Sequence, residues 1–397
     1  MKKIMILGAG VYQVPLIKRA KEMGLYTIVV SIPGNYPGFA LADKVYYENT
    51  VDYETIIRLA KEEQIDGIVT TGTDVAVVTI GKVCDLLGLR GVSAEGAAIA
   101  CDKSLMKEAY RKNGVRTAAY KYVAIDAALD QVEEICREIK YPVIFKAIDS
   151  SGSRGITRVN EPSEIQGAID AVKAVTHHDS YLIERFLIGE EFGAQAFVQD
   201  GKLEFVLPHG DYVFVGDTGV PIGHYAPYDL PDMEEEIYRQ AELAIKAMKL
   251  DNCAINADFI LCDGEPYVLE IGARGGATNL VELTCLYYGY DYYEKILRVA
   301  LGEHVDFAPV GEKRVPNASH LLLSETDGVI EEIVNENQIG VDGVSEVQFD
   351  YGVGDEVRKF HVGPDRIGHV IVTGDSLEEA EANLKLAMSR ITIRVKS

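Results

Sequence analysis

Along residues 255–261 apolar side chains recur at every second position: Ile255, Ala257, Phe259 and Leu261, with Asn256 and Asp258 between them. A period of two predicts a strand with one apolar face and one face carrying polar groups. Cys262-Asp263-Gly264-Glu265 reads as a turn, because Gly264 can take positive φ. Residues 266–271 return as a second strand that sends Val268 and Glu270 to one face. Loop length then sets what Asp258 meets. A two-residue loop, Asp263-Gly264, places it opposite Leu269; a three-residue loop, Asp263-Gly264-Glu265, places it opposite Glu270. The three-residue loop is predicted, and with it two facing carboxylates. Such a pair repels by about 4 kcal/mol at an effective dielectric near 20, so one acid takes up a proton or a cation sits between them. Hard oxygen donors with few other protein ligands suit Mg²⁺, which keeps waters and shares substrate phosphates. An ordinary solvated hairpin explains the same spacing.

Upstream, short apolar runs alternate with amphipathic segments. Strands are predicted at 4–7, 26–31, 44–47 and 67–71 and helices at 14–23, 52–63 and 75–87, a doubly wound α/β module. Gly8-Ala9-Gly10 follows the first strand, where a dinucleotide pyrophosphate could rest. Yet Gln13 replaces the third glycine of that motif, and Ser31-Ile32-Pro33 stands where an acidic residue belongs. A close strand-to-helix turn explains the glycines without a nicotinamide. Thr71-Gly72-Thr73-Asp74 end a parallel strand, a place where such sheets bind ligands; helix capping by Thr73 or Asp74 is the simpler reading.

Asp102-Lys103-Ser104 opens a helix that runs to Asn113. Lys103 opposes the helix dipole there, as at an anion site, although solvated lysines also occur at such positions. Lys146 ends the apolar run 141–147, and Asp149-Ser150-Ser151-Gly152-Ser153-Arg154-Gly155 follows at once. Such a loop can lay backbone N–H groups over phosphate oxygens, with Lys146 and Arg154 adding charge. The strand at 181–187 carries Glu184, Arg185, Phe186 and Leu187. Backbone groups of its last residues could read an adenine edge, and Glu191 could accept from two ribose hydroxyls. Taken singly, each glutamate reads as surface.

The chain has 397 residues, enough for two or three domains, with 47% hydrophobic and 25% charged positions. Its net charge of −23 argues against nucleic-acid phosphates and anionic membranes as partners, and leaves small phosphorylated ligands open. Six scattered cysteines without a CxxC pair read as reduced thiols, and no apolar run approaches a membrane span; a cytoplasmic protein is expected.

Lys103, Lys146 with its glycine loop, Ile183-Glu184-Arg185-Phe186-Leu187 with Gly189-Glu190-Glu191-Phe192, then Asp258, Glu270 and Arg274, resemble in order and spacing the ATP-grasp superfamily. The layout is similar to carbamoyl-phosphate synthase and biotin carboxylase, over essentially the whole chain. The resemblance implies a Rossmann-like pre-ATP-grasp domain at 1–98 and an ATP-grasp domain of two α+β subdomains at 99–310, with its nucleotide lid at about 118–187. A small β-rich C-terminal α+β domain at 311–397 completes the layout. It implies that ATP and Mg²⁺, or Mn²⁺, are the cofactors. Lys103, Lys146, Ser151 and Gly152 would hold phosphates beneath Arg154, Glu184 and the 185–187 backbone would line the purine, and Glu191 the ribose. Asp258 and Glu270 would bind metal, and Arg274 the transferred phosphate or a substrate carboxylate. Many members carry asparagine two residues after the bridging glutamate; here it is Gly272, and either Asn256 or a water would take that place.

The form Glu270-Ile271-Gly272-Ala273-Arg274 looks like the amino-acid ligase branch, which includes dipeptide-forming enzymes. It implies an ATP-dependent carboxylate–amine ligase working through an acyl phosphate, with small-molecule carboxylate and amine as partners. A bicarbonate-phosphorylating enzyme and a non-catalytic ATP-binding protein are the alternatives. His224, in the aromatic and glycine-rich stretch 207–228, is the candidate contact to the reacting acyl group; His209 and Tyr212 are weaker ones, and a structural histidine explains His224 equally. Members of this layout are often dimers, so a homodimer is carried as an expectation.

Overall fold

The computed structural model describes residues 1–148, 155–215, 219–230 and 232–396. Its first sheet is parallel, in the order β3-β2-β1-β4, from β1 (Lys3–Leu7), β2 (Tyr26–Ser31), β3 (Lys44–Tyr47) and β4 (Gly67–Val69). Helices α1 (Val14–Glu22), α2 (Tyr53–Glu63) and α3 (Val77–Leu87) connect these strands and lead on from them. Thr73 and Asp74 do not cap α3. Its N-cap is Ala76, with no side-chain cap, and Asp74 is engaged elsewhere. A further helix, α4 (Ala94–Cys101), is capped by Ser93 and runs almost directly into α5 (Lys103–Asn113). The Asp102 carboxylate caps α5 by accepting from the N–H groups of Ser104 (2.7 Å) and Leu105 (3.1 Å), which offsets the adverse placement of Lys103.

A four-stranded antiparallel sheet follows, in the order β5-β8-β6-β7, from β5 (Tyr120–Ala124), β6 (Val143–Ala147), β7 (Ile156–Val159) and β8 (Ser180–Arg185). Phe145, Val143, Tyr181 and Ile183 close its apolar side under two helices, while Lys146 and Glu184 project from the other side. The strand carrying Glu184 ends at Arg185.

The large sheet has eight strands, β13-β12-β9-β10-β11-β14-β18-β16. Its members are β9 (Glu190–Gln199), β10 (Lys202–Val215), β11 (Gly219–Ala226), β12 (Cys253–Cys262), β13 (Glu265–Gly272), β14 (Asn317–Leu322), β16 (Val344–Phe349) and β18 (Gly368–Thr373). Pairing of β11 with β14, from Gly223 with His320 to Ala226 with Asn317, makes the sheet continuous into the C-terminal segment. Beside it, β15 (Gly328–Asn335), β17 (Glu356–Val357) and β19 (Ile391–Lys396) form a three-stranded sheet. Among the described residues no helix is long and apolar enough to cross a membrane.

The hairpin of β12 and β13 corrects the expected turn. Cys262 pairs with Glu265, so the loop is the two-residue Asp263-Gly264, both at positive φ (55° and 77°). That geometry suits the right-handed twist of a tight hairpin. Asp258 nevertheless faces Glu270. The register slips by one residue between Asp258–Glu270 and Phe259–Val268, leaving Leu269 as a bulge. Val268 and Glu270 therefore lie on opposite faces, contrary to simple alternation. Val268 is buried in the same core cluster as Phe259, and Glu270 turns to the cleft.

Candidate active site

Between the four-stranded antiparallel sheet and the large sheet lies a cleft of about 360 Å³. Lys103, Lys107, Lys146, Glu184, Glu191, Asp211, Asp258 and Glu270 line it over an apolar floor that includes Met106, Phe192, Phe259 and Leu269. Phe192 is stacked between Tyr228 and Phe259, at 5.2 Å from each ring, which fixes the floor.

Three lysines face the acids. Lys146 donates to Glu184 Oε2 at 2.8 Å, and Lys107 Nζ lies 3.2 Å from Oε1 of the same carboxylate. Lys107 also donates to Thr117 Oγ1 (2.7 Å). Burial pushes the Glu184 carboxyl up, but Lys107 and Lys146 outweigh it and hold the group below its usual range. Sequence reasoning missed Lys107. The legible signal was its spacing: four residues after Lys103 on a helix, it shares that lysine's face. Lys103 reaches toward Glu270, 3.7 Å away.

Asp258 is open to the water of the cleft but enclosed by its walls. Desolvation by those walls, then the facing Glu270, push its carboxyl up to about 7, against the pull of Arg274. Proton uptake or a cation relieves this repulsion. Two opposed carboxylates carrying more negative charge than their neighbours offset are a donor set that fits a hard divalent ion, with water or phosphate oxygens completing it.

Arg274 does not line this cleft. Asp74, from the segment after β4, accepts from it twice, Nε to Oδ1 at 3.0 Å and Nη2 to Oδ2 at 2.9 Å. The same carboxylate accounts for Gly272: a Cβ there would lie 2.7 Å from Asp74 Oδ1. Asn256 is already engaged, its side-chain oxygen accepting from Gln195 at 2.6 Å.

Arg185, Phe186 and Leu187 also stand outside the cleft lining. The N–H groups of Arg185 and Phe186 donate to the carbonyls of Ala119 (2.8 Å) and Pro142 (2.9 Å). The Arg158 guanidinium covers the Phe186 ring at 4.3 Å, and Leu187 packs with Ala118, Ile260 and Cys262. The Phe186 and Leu187 side chains are thus held by protein. Ser151, Gly152 and Arg154 lie outside the described residues. His224 is buried on β11, with Nδ1 2.6 Å from Asp211 Oδ1, and His209 Nδ1 approaches the same oxygen at 3.1 Å. Tyr212 points away, its hydroxyl donating to Glu381 at 2.9 Å.

Residues 100–278 match the family model of the ATP-grasp domain, and residues 320–396 match that of the L-amino acid ligase C-terminal domain 2. The crystal structure of phosphoribosylglycinamide synthetase from Anaerococcus prevotii is 34% identical, with a TM-score of 0.88 and full coverage of both chains. The chain belongs to the ATP-grasp superfamily. It is a ligase that forms C–N bonds, uses ATP and Mg²⁺ and releases ADP. Formate-dependent phosphoribosylglycinamide formyltransferase from Methanocella arvoryzae is 24% identical, over 98% of this chain and 92% of that one. Alanine–anticapsin ligase from Bacillus subtilis is 25% identical over 66% of this chain and 61% of its own length. The ATP-grasp assignment accounts for a cleft that sets three lysines over two opposed carboxylates.

Proposed function

We propose that this ATP-grasp enzyme joins an amino acid or small carboxylic acid to an amine through an acyl phosphate, forming an amide or peptide-like bond. The observation that carries the reading is the Asp258–Glu270 pair facing Lys103, Lys107 and Lys146 across one cleft. Lys103 and Lys146 hold nucleotide phosphates. Lys107 and Lys146 keep Glu184 ionised, so it can accept a hydrogen bond from an adenine amino group. The backbone of residues 185–187 reads the purine edge, and Glu191 accepts from the ribose. Asp258 and Glu270 hold Mg²⁺, which when bound neutralises charge on the transferred phosphate.

Arg274, held in a fixed plane by Asp74, orients the substrate carboxylate or the phosphate it receives. The carboxylate attacks the γ-phosphorus in line, ADP leaves, and the amine then displaces phosphate from the acyl carbon. No protein nucleophile is required. The loop that carries Ser151, Gly152 and Arg154 excludes water from the acyl phosphate. His224 acts through Asp211, which lines the cleft, and the enzyme works in the cytoplasm, in line with its reduced cysteines.

A screen of ADP release with carboxylates and amines, singly and in pairs, with product masses, tests this. Formate and phosphoribosylglycinamide, from one relative's name, and alanine, from another's, belong in the panel. The expected result is ADP release that needs both an acid and an amine. Stimulation by bicarbonate alone would replace the ligase reading with a bicarbonate-phosphorylating one.

A further inference from the structure

Among the described residues, His209, Asp211 and His224 are the one group of three potential ligands whose donor atoms all lie within 4.8 Å of one another. β10 supplies His209 and Asp211, and β11 supplies His224 directly across from Asp211. Both imidazoles are almost fully enclosed, whereas about a third of the Asp211 side chain, 32%, is open. Asp211 lines the cleft beside Asp258 and Glu270. His209 lies flat on Gly193, where a Cβ would come within 2.4 Å of its Nε2, and Gly193 pairs with Asp258.

The contacts of 2.6 Å and 3.1 Å to one oxygen, Oδ1, are hydrogen-bond spacings. Ligands on one divalent ion, each about 2 Å from it, stand farther apart than the shorter of these. Two Nδ1–H groups donating to the same oxygen also leave neither Nδ1 able to ligate. The unit is therefore a braced anion: Oδ1 is fixed by two imidazoles, neither of which contacts Oδ2, and the residue lines the cleft. Glu184 has Lys107 and Lys146, and Glu270 has Lys103. No lysine or arginine among the described residues pairs with Asp211. An ammonium group on a substrate complements the Asp211 carboxylate in this cleft.

Resting on the ligase reading above, we propose that Asp211 receives the α-ammonium of the acid substrate, so that the acid activated in this cleft is an α-amino acid. Asp211 determines specificity, and His209 and His224 are positioning residues acting through it.

Hydroxylamine tests this, because it is a neutral nucleophile near pH 7 and traps acyl phosphates as hydroxamates whatever the natural amine. With ATP and Mg²⁺, each proteinogenic amino acid is compared with its desamino analogue, alanine with propionate for instance. Wild type should show a KM for the best amino acid at least about tenfold below that of its analogue, since a site built for a polar group rejects ligands lacking it. Asp211→Asn should erase most of that ratio by raising the amino-acid KM, with the analogue's KM within about threefold. Asp211→Glu should restore part of the ratio, and His224→Gln should cost less than Asp211→Asn. ADP binding by each variant confirms folding.

An unchanged ratio in Asp211→Asn, equal losses with both acids, or a KM effect confined to the amine co-substrate overturns the assignment. So does one-to-one Zn²⁺ binding that Asp211→Asn abolishes while the ratio stands. Absence of hydroxamate from any acid in wild type instead sinks the ligase reading, and is seen without any variant.

Discussion

Glu184 and Asp258 look into the same cleft from opposite walls. Glu184 is 2% exposed and grips Lys107 and Lys146, two cations built into the fold. Asp258 is open to cleft water and faces a second acid. Burial penalises both, yet Glu184 stays ionised below its usual range while Asp258 is pushed up to about 7. The difference is whether the compensating charge comes from the chain or from outside it. Glu184 belongs to a closed ionic unit whose loss the fold feels. On the proposed reading Asp258 belongs to an open one, whose loss ligand binding and catalysis should feel and the fold should not.

The largest effect should come from removing the open unit. Asp258→Asn and Glu270→Gln should each lower ADP release about a thousandfold or more, roughly 4 kcal/mol of lost charge stabilisation. The unliganded protein should melt at the same temperature or higher, because the substitution removes a repulsion. A lowered melting temperature without ligand would show that Asp258 serves the fold, and the contrast with Glu184 would fail.

The converse should hold for the closed unit. Lys107→Met leaves a buried carboxylate with a single lysine, and should destabilise the unliganded protein by about 3 kcal/mol in denaturant unfolding. Adding Glu184→Gln to Lys107→Met should recover part of that loss, because no excess buried charge then remains. Equal losses in the single and double variants would mean that Lys107 contributes by packing alone.

How far the sequence carried this contrast depends on the distance over which each feature is written. The alternation at 255–261 located the face that carries Asp258, and the order of lysines and acids located residues that line one cleft. The partner of Asp258 came out correctly from a wrong turn. The Asp263-Gly264 loop obeys the ordinary rule for tight hairpins, and the Leu269 bulge then supplies the extra residue. A bulge leaves no local mark when the inserted residue is apolar, as Leu269 is beside Val268. The clamp of Asp74 on Arg274 joins positions 200 residues apart, so neither its geometry nor its exclusion of a side chain at Gly272 could be read from either segment alone. Lys107 was within reach through helical spacing. Nothing local, however, marks it as the buried partner of a strand glutamate in another layer.

The smallest effect concerns protons. In the unliganded protein Asp258 is raised to about 7, so below that pH it binds a proton that the unfolded chain has already released. Its own contribution to stability therefore falls as pH rises from about 4, where an ordinary aspartate ionises, toward 7. Ligand binding has the opposite dependence, because the proton must leave before a cation can sit between Asp258 and Glu270. Mg²⁺ affinity, followed by calorimetry with ADP present, should be about tenfold weaker at pH 6 than at pH 8, and each binding event at pH 6 should release close to one proton to the buffer. Glu184, already neutralised by its lysines, contributes nothing to that slope. Asp258→Asn should bind Mg²⁺ weakly and with no pH dependence in this window. If the variant keeps the full slope, the proton belongs to another group, and the open unit would have to be redrawn around Glu270.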